Sequence, residues 1–203
     1  MSHADAAAAH GHDGGEDHAV TFERARFGMW LFIASEIMMF GAFIAVYIVL
    51  RMSMPQEVVD YSKEVLSHTF HLALINTFIL IASSYTVVRG VNAMSKGNKG
   101  HCEDMLILTA ALGLLFLVLK GVEYAAKFDH GIGPSHNVFF SCYFLMTGFH
   151  GLHVLIGVIL LPWCAFYVKK FAAHHYAHVE NLALYWHFVD VVWIFLFPIV
   201  YLL

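Results

Sequence analysis

The stretch MLILTAALGLLFLVLK, Met105–Lys120, runs fifteen residues before it meets its first charge. Continued through Gly121-Val122-Glu123-Tyr124-Ala125-Ala126 to Lys127, it becomes a segment of 23 residues. At 1.5 Å per residue, a helix of that length covers about 34 Å, enough to cross a hydrocarbon core of about 30 Å. Apolar runs of this length read as membrane-spanning helices rather than as core helices of a soluble domain. Working outward, the same pattern recurs at Phe27–Leu50, Phe70–Ala93, Val138–Val168 and Val179–Leu203. The expected fold is all-α: a bundle of five transmembrane helices in one domain, residues 27–203.

Composition agrees with that reading. Of 203 residues, 60% are hydrophobic and only 13% charged, and mean hydropathy is +0.68. A soluble domain carries about a quarter charged residues, so a soluble enzyme and a disordered chain are both excluded. The net charge of −4 offers no basic footprint for nucleic acid. Three cysteines, Cys102, Cys142 and Cys164, lack the spacing of a disulfide framework, a zinc knuckle or a covalent haem site. They read as small apolar side chains. Residues 1–26 read as a flexible tail carrying His3, His10, His12 and His18. This tract has neither the basic start nor the apolar core of a signal peptide, and its histidines are too irregular to require a metal.

The expected connections are polar: Arg51–Ser67 with Pro55, Met94–Asp104 with Lys96-Gly97-Asn98-Lys99, Phe128–Asn137 with Gly131 and Gly133-Pro134, and Lys169–His178. Arg24, Arg26, Arg89, Lys96, Lys99, Lys169 and Lys170 fall on the side of the N-terminus, whereas Arg51, Lys63 and Lys127 fall on the other. By the positive-inside rule the N-terminus is cytoplasmic and the C-terminus periplasmic. An odd number of spans without an internal repeat argues against an inverted-repeat transporter.

An ionisable group inside a bilayer costs about 2.5–3.5 kcal/mol on insertion scales, so each one needs a reason. Glu36 lies about 13 Å into the first helix, and Ser35-Glu36-Ile37-Met38-Met39-Phe40 offers no local cation. Two readings are open: a carboxyl placed to hold or pass a proton, or a protonated acid bonded to a neighbouring helix. Lys120 and Glu123 are three apart on the third helix and able to pair, with Lys120 near enough to the end to snorkel. His150 and His153 share a face of the fourth helix by the same spacing, as do His187 and Asp190 on the fifth. Imidazole and carboxylate are ordinary metal ligands, but neither the Glu-x-x-His pairs of di-iron bundles nor His-Glu-x-x-His occurs. Packing histidines are the expected reading, with metal or haem ligation as the alternative. Gly148 and Gly151 flank His150 and are expected to allow close helix contact. Trp186 and Trp193, seven apart on one stripe, read as packing rather than as a cofactor cage.

The run Thr147-Gly148-Phe149-His150-Gly151-Leu152-His153-Val154, followed after one loop by Tyr185-Trp186-His187-Phe188-Val189-Asp190-Val191-Val192-Trp193, resembles subunit III of the haem–copper terminal oxidases. Leu31-Phe32-Ile33-Ala34-Ser35-Glu36, Leu74-Ile75-Asn76-Thr77, Gly121-Val122-Glu123-Tyr124, and His174-His175 with Glu180 extend the resemblance to all five helices. It implies an accessory subunit of a proton-pumping oxidase that takes electrons from cytochrome c or quinol and reduces oxygen to water. Haem and copper belong to subunits I and II in that family, so no metal, cofactor or catalytic residue is expected in this chain. Subunit III packs on subunit I, beside subunit II and a small subunit IV, and membership of a respiratory supercomplex is open. It binds phospholipid and supports proton uptake and lasting activity. Glu36 falls on the family's buried carboxylate, known for its reaction with a carbodiimide.

For Glu123, His150, His153, Glu180, Trp186, His187, Asp190 and Trp193 the resemblance implies roles in bundle integrity and lipid contact. An arginine expected at the exit of the fourth helix is Tyr167 here, with Lys170 left as a partner for a lipid headgroup. Many members have seven helices, whereas this chain resembles the shorter five-helix bacterial form, which places it in the bacterial inner membrane. Two other readings remain: a stand-alone proton or ion transporter, and a partner of a nitric oxide reductase, whose subunit III-like branch has the same length.

Overall fold

The computed structural model describes the backbone of residues 3–170 and 176–201, with side chains from 23 to 166 and from 178 to 201. The chain forms five helices: α1 His3–Ser53, α2 Gln56–Ser95, α3 Lys99–Asp129, α4 Val138–Lys170 and α5 Tyr176–Tyr201. All five are long and apolar enough to cross a membrane, and there is no strand among the described residues. The crossing portions are Glu23–Ser53, Gln56–Ser95, Lys99–Asp129, Val138–Phe166 and His178–Tyr201. The helical backbone of α1 also runs back through the Ala-rich stretch that the sequence assigns to a tail. Alanine is the strongest helix former.

The helices are longer, and the connections shorter, than the polar residues between the apolar runs suggest. The stretch expected to link the first two spans is mostly helix, because α2 already starts at Gln56. Pro55 sits at the N-cap of α2 and Glu57 in its first turn, where a missing N–H and a negative charge are both tolerated. Gln56 Nε2 donates to Asp60 Oδ1 at 2.9 Å. The buried positions Val59, Ser62 and Leu66 recur on one face. With 40 residues, α2 is about 60 Å long and projects beyond a hydrocarbon core at its Pro55 end. The α2–α3 turn is only Lys96–Asn98. Gly97 takes φ 75° there, a conformation open to glycine at little cost, and Asn98 caps α3 by accepting from the His101 N–H at 3.2 Å.

Helices α2, α3, α4 and α5 pack against one another, while α1 lies against α4 and α5. Large apolar side chains such as Phe27, Trp30, Phe78, Ile159 and Phe195 face outward, as a lipid-facing surface requires. The close approach falls elsewhere than at the glycines flanking His150. A Cβ on Gly148 or Gly151 meets nothing within 4 Å, whereas one on Gly113 would lie 2.5 Å from Trp186 Cη2 and one on Gly157 2.6 Å from Trp186 Cζ3. The Trp186 indole is wedged between α3 and α4 at the two positions without a side chain, the small-residue packing typical of membrane helices. The three cysteines are free, with Cys102 and Cys164 buried.

Candidate functional site: three polar centres in the bundle

The polar side chains gather into three centres. At the first, α1 meets α4. His153 Nε2 lies 3.1 Å from Glu36 Oε2, within ion-pair range but off the line of a hydrogen bond. The partner missing from the sequence around Glu36 therefore comes from another helix. The other ring nitrogen, Nδ1, is 2.8 Å from the Phe149 carbonyl, which can only accept, so this tautomer assignment puts a proton on Nδ1. Nε2 is thereby left facing the Glu36 carboxyl. Phe40 packs edge-on against the His153 ring at 5.5 Å, and Tyr185 donates to the His153 carbonyl at 2.9 Å.

The second centre joins α2, α3, α4 and α5. Glu123, fully buried, accepts from Lys120 at 2.9 Å, Lys127 at 2.6 Å, Tyr143 at 2.7 Å and Tyr201 at 2.5 Å. Four donors fill the acceptor sites of an ionised carboxylate. Lys120 also donates to the Tyr143 and Tyr201 hydroxyls at 3.2 and 2.7 Å, and its ammonium sits 5.0 Å over the Trp193 ring. Lys127 donates to Thr69 and Tyr143, each at 3.2 Å. The Lys120–Glu123 pair expected from spacing is present, but Lys120 is 5% exposed and points inward rather than snorkelling. Lys127 is buried with it, not free at the helix end as the charge count takes it. Its position four residues after Glu123 was a usable signal, whereas Tyr143 and Tyr201 come from other helices and left none.

The third centre is the polar stripe of α5 against α2. Trp186 Nε1 donates to Ser83 Oγ at 3.0 Å, Trp193 Nε1 to Thr77 Oγ1 at 3.0 Å, and Ser84 Oγ meets His187 Nδ1 at 2.7 Å. Asp190 is buried on the same stripe, with the Ser84 hydroxyl beside its carboxyl. His150 stacks on Trp193 at 5.1 Å and packs against the edge of Phe116 at 5.7 Å, and neither ring nitrogen has a partner among the described residues. His150 and His153 therefore go to different places despite their shared spacing, one into the core and one to α1. Among the described residues, no group of three or more His, Cys, Asp or Glu is placed to hold a metal.

Glu180 Oε1, half-buried, is 4.0 Å from Nη2 of the exposed Arg26, an ion pair worth at most about 1 kcal/mol. The side chains of Lys170 and Tyr167, both His174 and His175, and the side chains of the four tail histidines lie outside the described residues. Replacing His187 by leucine removes the partner of Ser84 and should lower stability in detergent by about 1–2 kcal/mol. Thermal unfolding of the purified variant measures this, and an unchanged midpoint would deny the bond any structural weight.

These features define a multi-pass membrane bundle whose polar chemistry is protonatable side chains tied between helices. The family model described as cytochrome c oxidase subunit III matches residues 4–203. The chain is 40% identical over 177 residues to cytochrome c oxidase subunit 3 of Artemia franciscana, covering 87% of this chain and 68% of that one. It is 39% identical over 194 residues to the probable cytochrome c oxidase subunit 3 of Rickettsia bellii, with the same coverage. With the subunit 3 of Synechocystis it shares 35% identity over 198 residues, covering 96% of this chain and 80% of the relative. The chain belongs to the cytochrome c oxidase subunit III family, a subunit of an oxidoreductase complex of the respiratory chain.

Proposed function

We propose that the chain is the accessory, redox-inactive subunit of a proton-pumping haem–copper oxidase in a bacterial inner membrane. It covers subunit I, carries phospholipid, and supports proton uptake and the persistence of turnover. Subunits I and II hold the haem and copper of this reading. Subunit II and a small subunit IV are further partners, and the electron donor is cytochrome c or quinol. The N-terminus faces the cytoplasm. That orientation gains support from the burial of Lys127, because one of the three cations counted on the opposite side is committed to Glu123 inside the bundle.

The observation that carries the proton role is the 3.1 Å approach of Glu36 Oε2 to His153 Nε2. The pair lies where α1, the least enclosed helix, meets α4, and both side chains keep some exposure. A carboxyl–imidazole pair exchanging one proton at a bundle edge is suited to buffering an uptake entrance on a neighbouring subunit. An apolar groove of about 440 Å³ between α1 and α5, lined by Trp30, Ile37, Phe40 and Phe195 among others, has the shape and surface for an acyl chain.

Glu36→Gln keeps the side-chain shape and removes the exchangeable acid. In the purified oxidase complex it is expected to leave assembly and initial turnover unchanged while shortening turnover lifetime about twofold or more and changing its pH profile. An unaltered lifetime together with an unaltered pH profile would overturn the proton role.

A further inference from the structure

The groove between α1 and α5 follows α1 from Trp30 to Ile44, a helical rise of about 21 Å. Its walls are apolar over most of their length and rich in aromatic rings: Trp30 and Phe40 of α1, Phe188 and Phe195 of α5. No charged side chain lines it among the described residues, because Glu36 turns instead to His153 on α4. An acyl chain would fill such a groove by shape alone. His187, which also lines it, adds a polar atom that an acyl chain leaves unused.

The His187 ring is half-buried. Its Nδ1 lies 2.7 Å from Ser84 Oγ on α2, and the Ser84 hydroxyl stands beside the buried Asp190 carboxyl. Nε2 makes no hydrogen bond to any other described residue, so it is the polar atom offered to the groove. Its role follows from where Ser84 sends its single proton. When the hydroxyl donates to Asp190, Nδ1 carries the ring proton and donates to Oγ, and Nε2 presents a lone pair. When the hydroxyl donates to Nδ1, the ring proton sits on Nε2, which becomes a donor. The same relay therefore meets a ligand hydroxyl in one state and a ligand carbonyl in the other. An imidazole nitrogen without a partner in hydrocarbon is costly, and a neutral polar head group relieves that cost. A charged head group would find no counter-charge among the lining residues.

We propose that the groove between α1 and α5 binds an isoprenoid quinone, with a ring oxygen on His187 Nε2 and the branched tail along Phe40 and Phe195. The oxidised form offers a carbonyl acceptor and the reduced form a hydroxyl donor, the two partners that the Asp190–Ser84–His187 relay can match. Aromatic walls suit a flat head ring. The proposal is one of binding, with no electron passed in this chain. It involves neither Glu36 nor His153, so its failure leaves the proposed proton role untouched. A phospholipid in the groove would overturn it while favouring the lipid-carrying role, which keeps the two readings distinguishable.

The test photolabels the oxidase complex purified with this chain, using a short-tailed azido-ubiquinone, and locates the label by mass spectrometry of the digested subunit. Label is expected on residues 30–44 or 184–195, the two walls of the groove. Decylubiquinone should compete it away, whereas excess phosphatidylglycerol should not. Gly41 lines the groove, and a Cβ there meets nothing within 4 Å, so Gly41→Leu fills the groove without forcing the helices apart. That variant should lose most of the label. His187→Phe keeps a ring but removes the polar contact, so the concentration of probe for half-maximal labelling should rise about tenfold. Absence of label from both segments, equal competition by phosphatidylglycerol, or unchanged labelling of Gly41→Leu would each overturn the proposal. Full affinity in a folded His187→Phe complex also overturns it, and if that variant does not assemble, Gly41→Leu decides.

Discussion

Glu123→Leu should sharply reduce recovery of the folded chain. The substitution removes the acceptor shared by Lys120, Lys127, Tyr143 and Tyr201. It leaves two ammonium groups, both buried, with only hydroxyl partners. Removing one member of a buried ionic cluster costs about 3–5 kcal/mol, and each tenfold loss of folded population corresponds to about 1.4 kcal/mol. The ratio of folded to unfolded chain should therefore fall by about a hundredfold or more, enough to bring a domain at the lower end of ordinary stability to the edge of unfolding. Size-exclusion of the detergent-solubilised chain measures it as loss of the monodisperse peak. A second variant separates charge from shape: Lys120→Met/Glu123→Leu/Lys127→Met replaces the whole ionic set with apolar side chains of similar length. Such replacements are often neutral or stabilising, so the triple variant should regain much of the peak. A stable Glu123→Leu single variant would mean that the lysines escape to water and that the cluster is not a structural unit.

Trp186→Ala should be the most damaging substitution of an uncharged side chain. The indole is fully buried and reaches into the notches left by Gly113 and Gly157, with its N–H committed to Ser83. Truncating a buried tryptophan costs about 3–5 kcal/mol in soluble proteins. The lower end applies here, because burial out of lipid gains packing rather than hydrophobic transfer. The same geometry predicts a coupling. Gly157→Ala alone places a methyl 2.6 Å from a rigid ring and should destabilise by about 1–3 kcal/mol. In the Trp186→Ala background that methyl enters vacated space and should cost little. The difference is read from a double-mutant cycle of thermal midpoints. Additive effects would show that Gly157 and Trp186 do not pack as described.

What the sequence by itself determined follows from strong, local signals. A bilayer requires about twenty apolar residues in a row and internally satisfied backbone bonds. Five such runs therefore specified an all-helical membrane bundle before any packing was known. The motif runs around His150 and His187 were equally legible, as was the Lys120–Glu123 pair, because three-residue spacing fixes a shared helix face. Spacing says nothing about which neighbour a face meets. The tertiary structure alone decided that His150 turns to Trp193 while His153 turns to Glu36. It also decided that Lys127 joins the interior through Thr69 and Tyr143, and that the close glycines are Gly113 and Gly157 rather than Gly148 and Gly151. Helix ends escaped the sequence for a related reason. Hydropathy marks where lipid stops, whereas a helix such as α2 continues until a cap or a proline ends it, so its polar first turns read as loop. Partner choice and helix length are set by how five cylinders pack side by side, a property of their mutual arrangement that no single stretch of residues encodes.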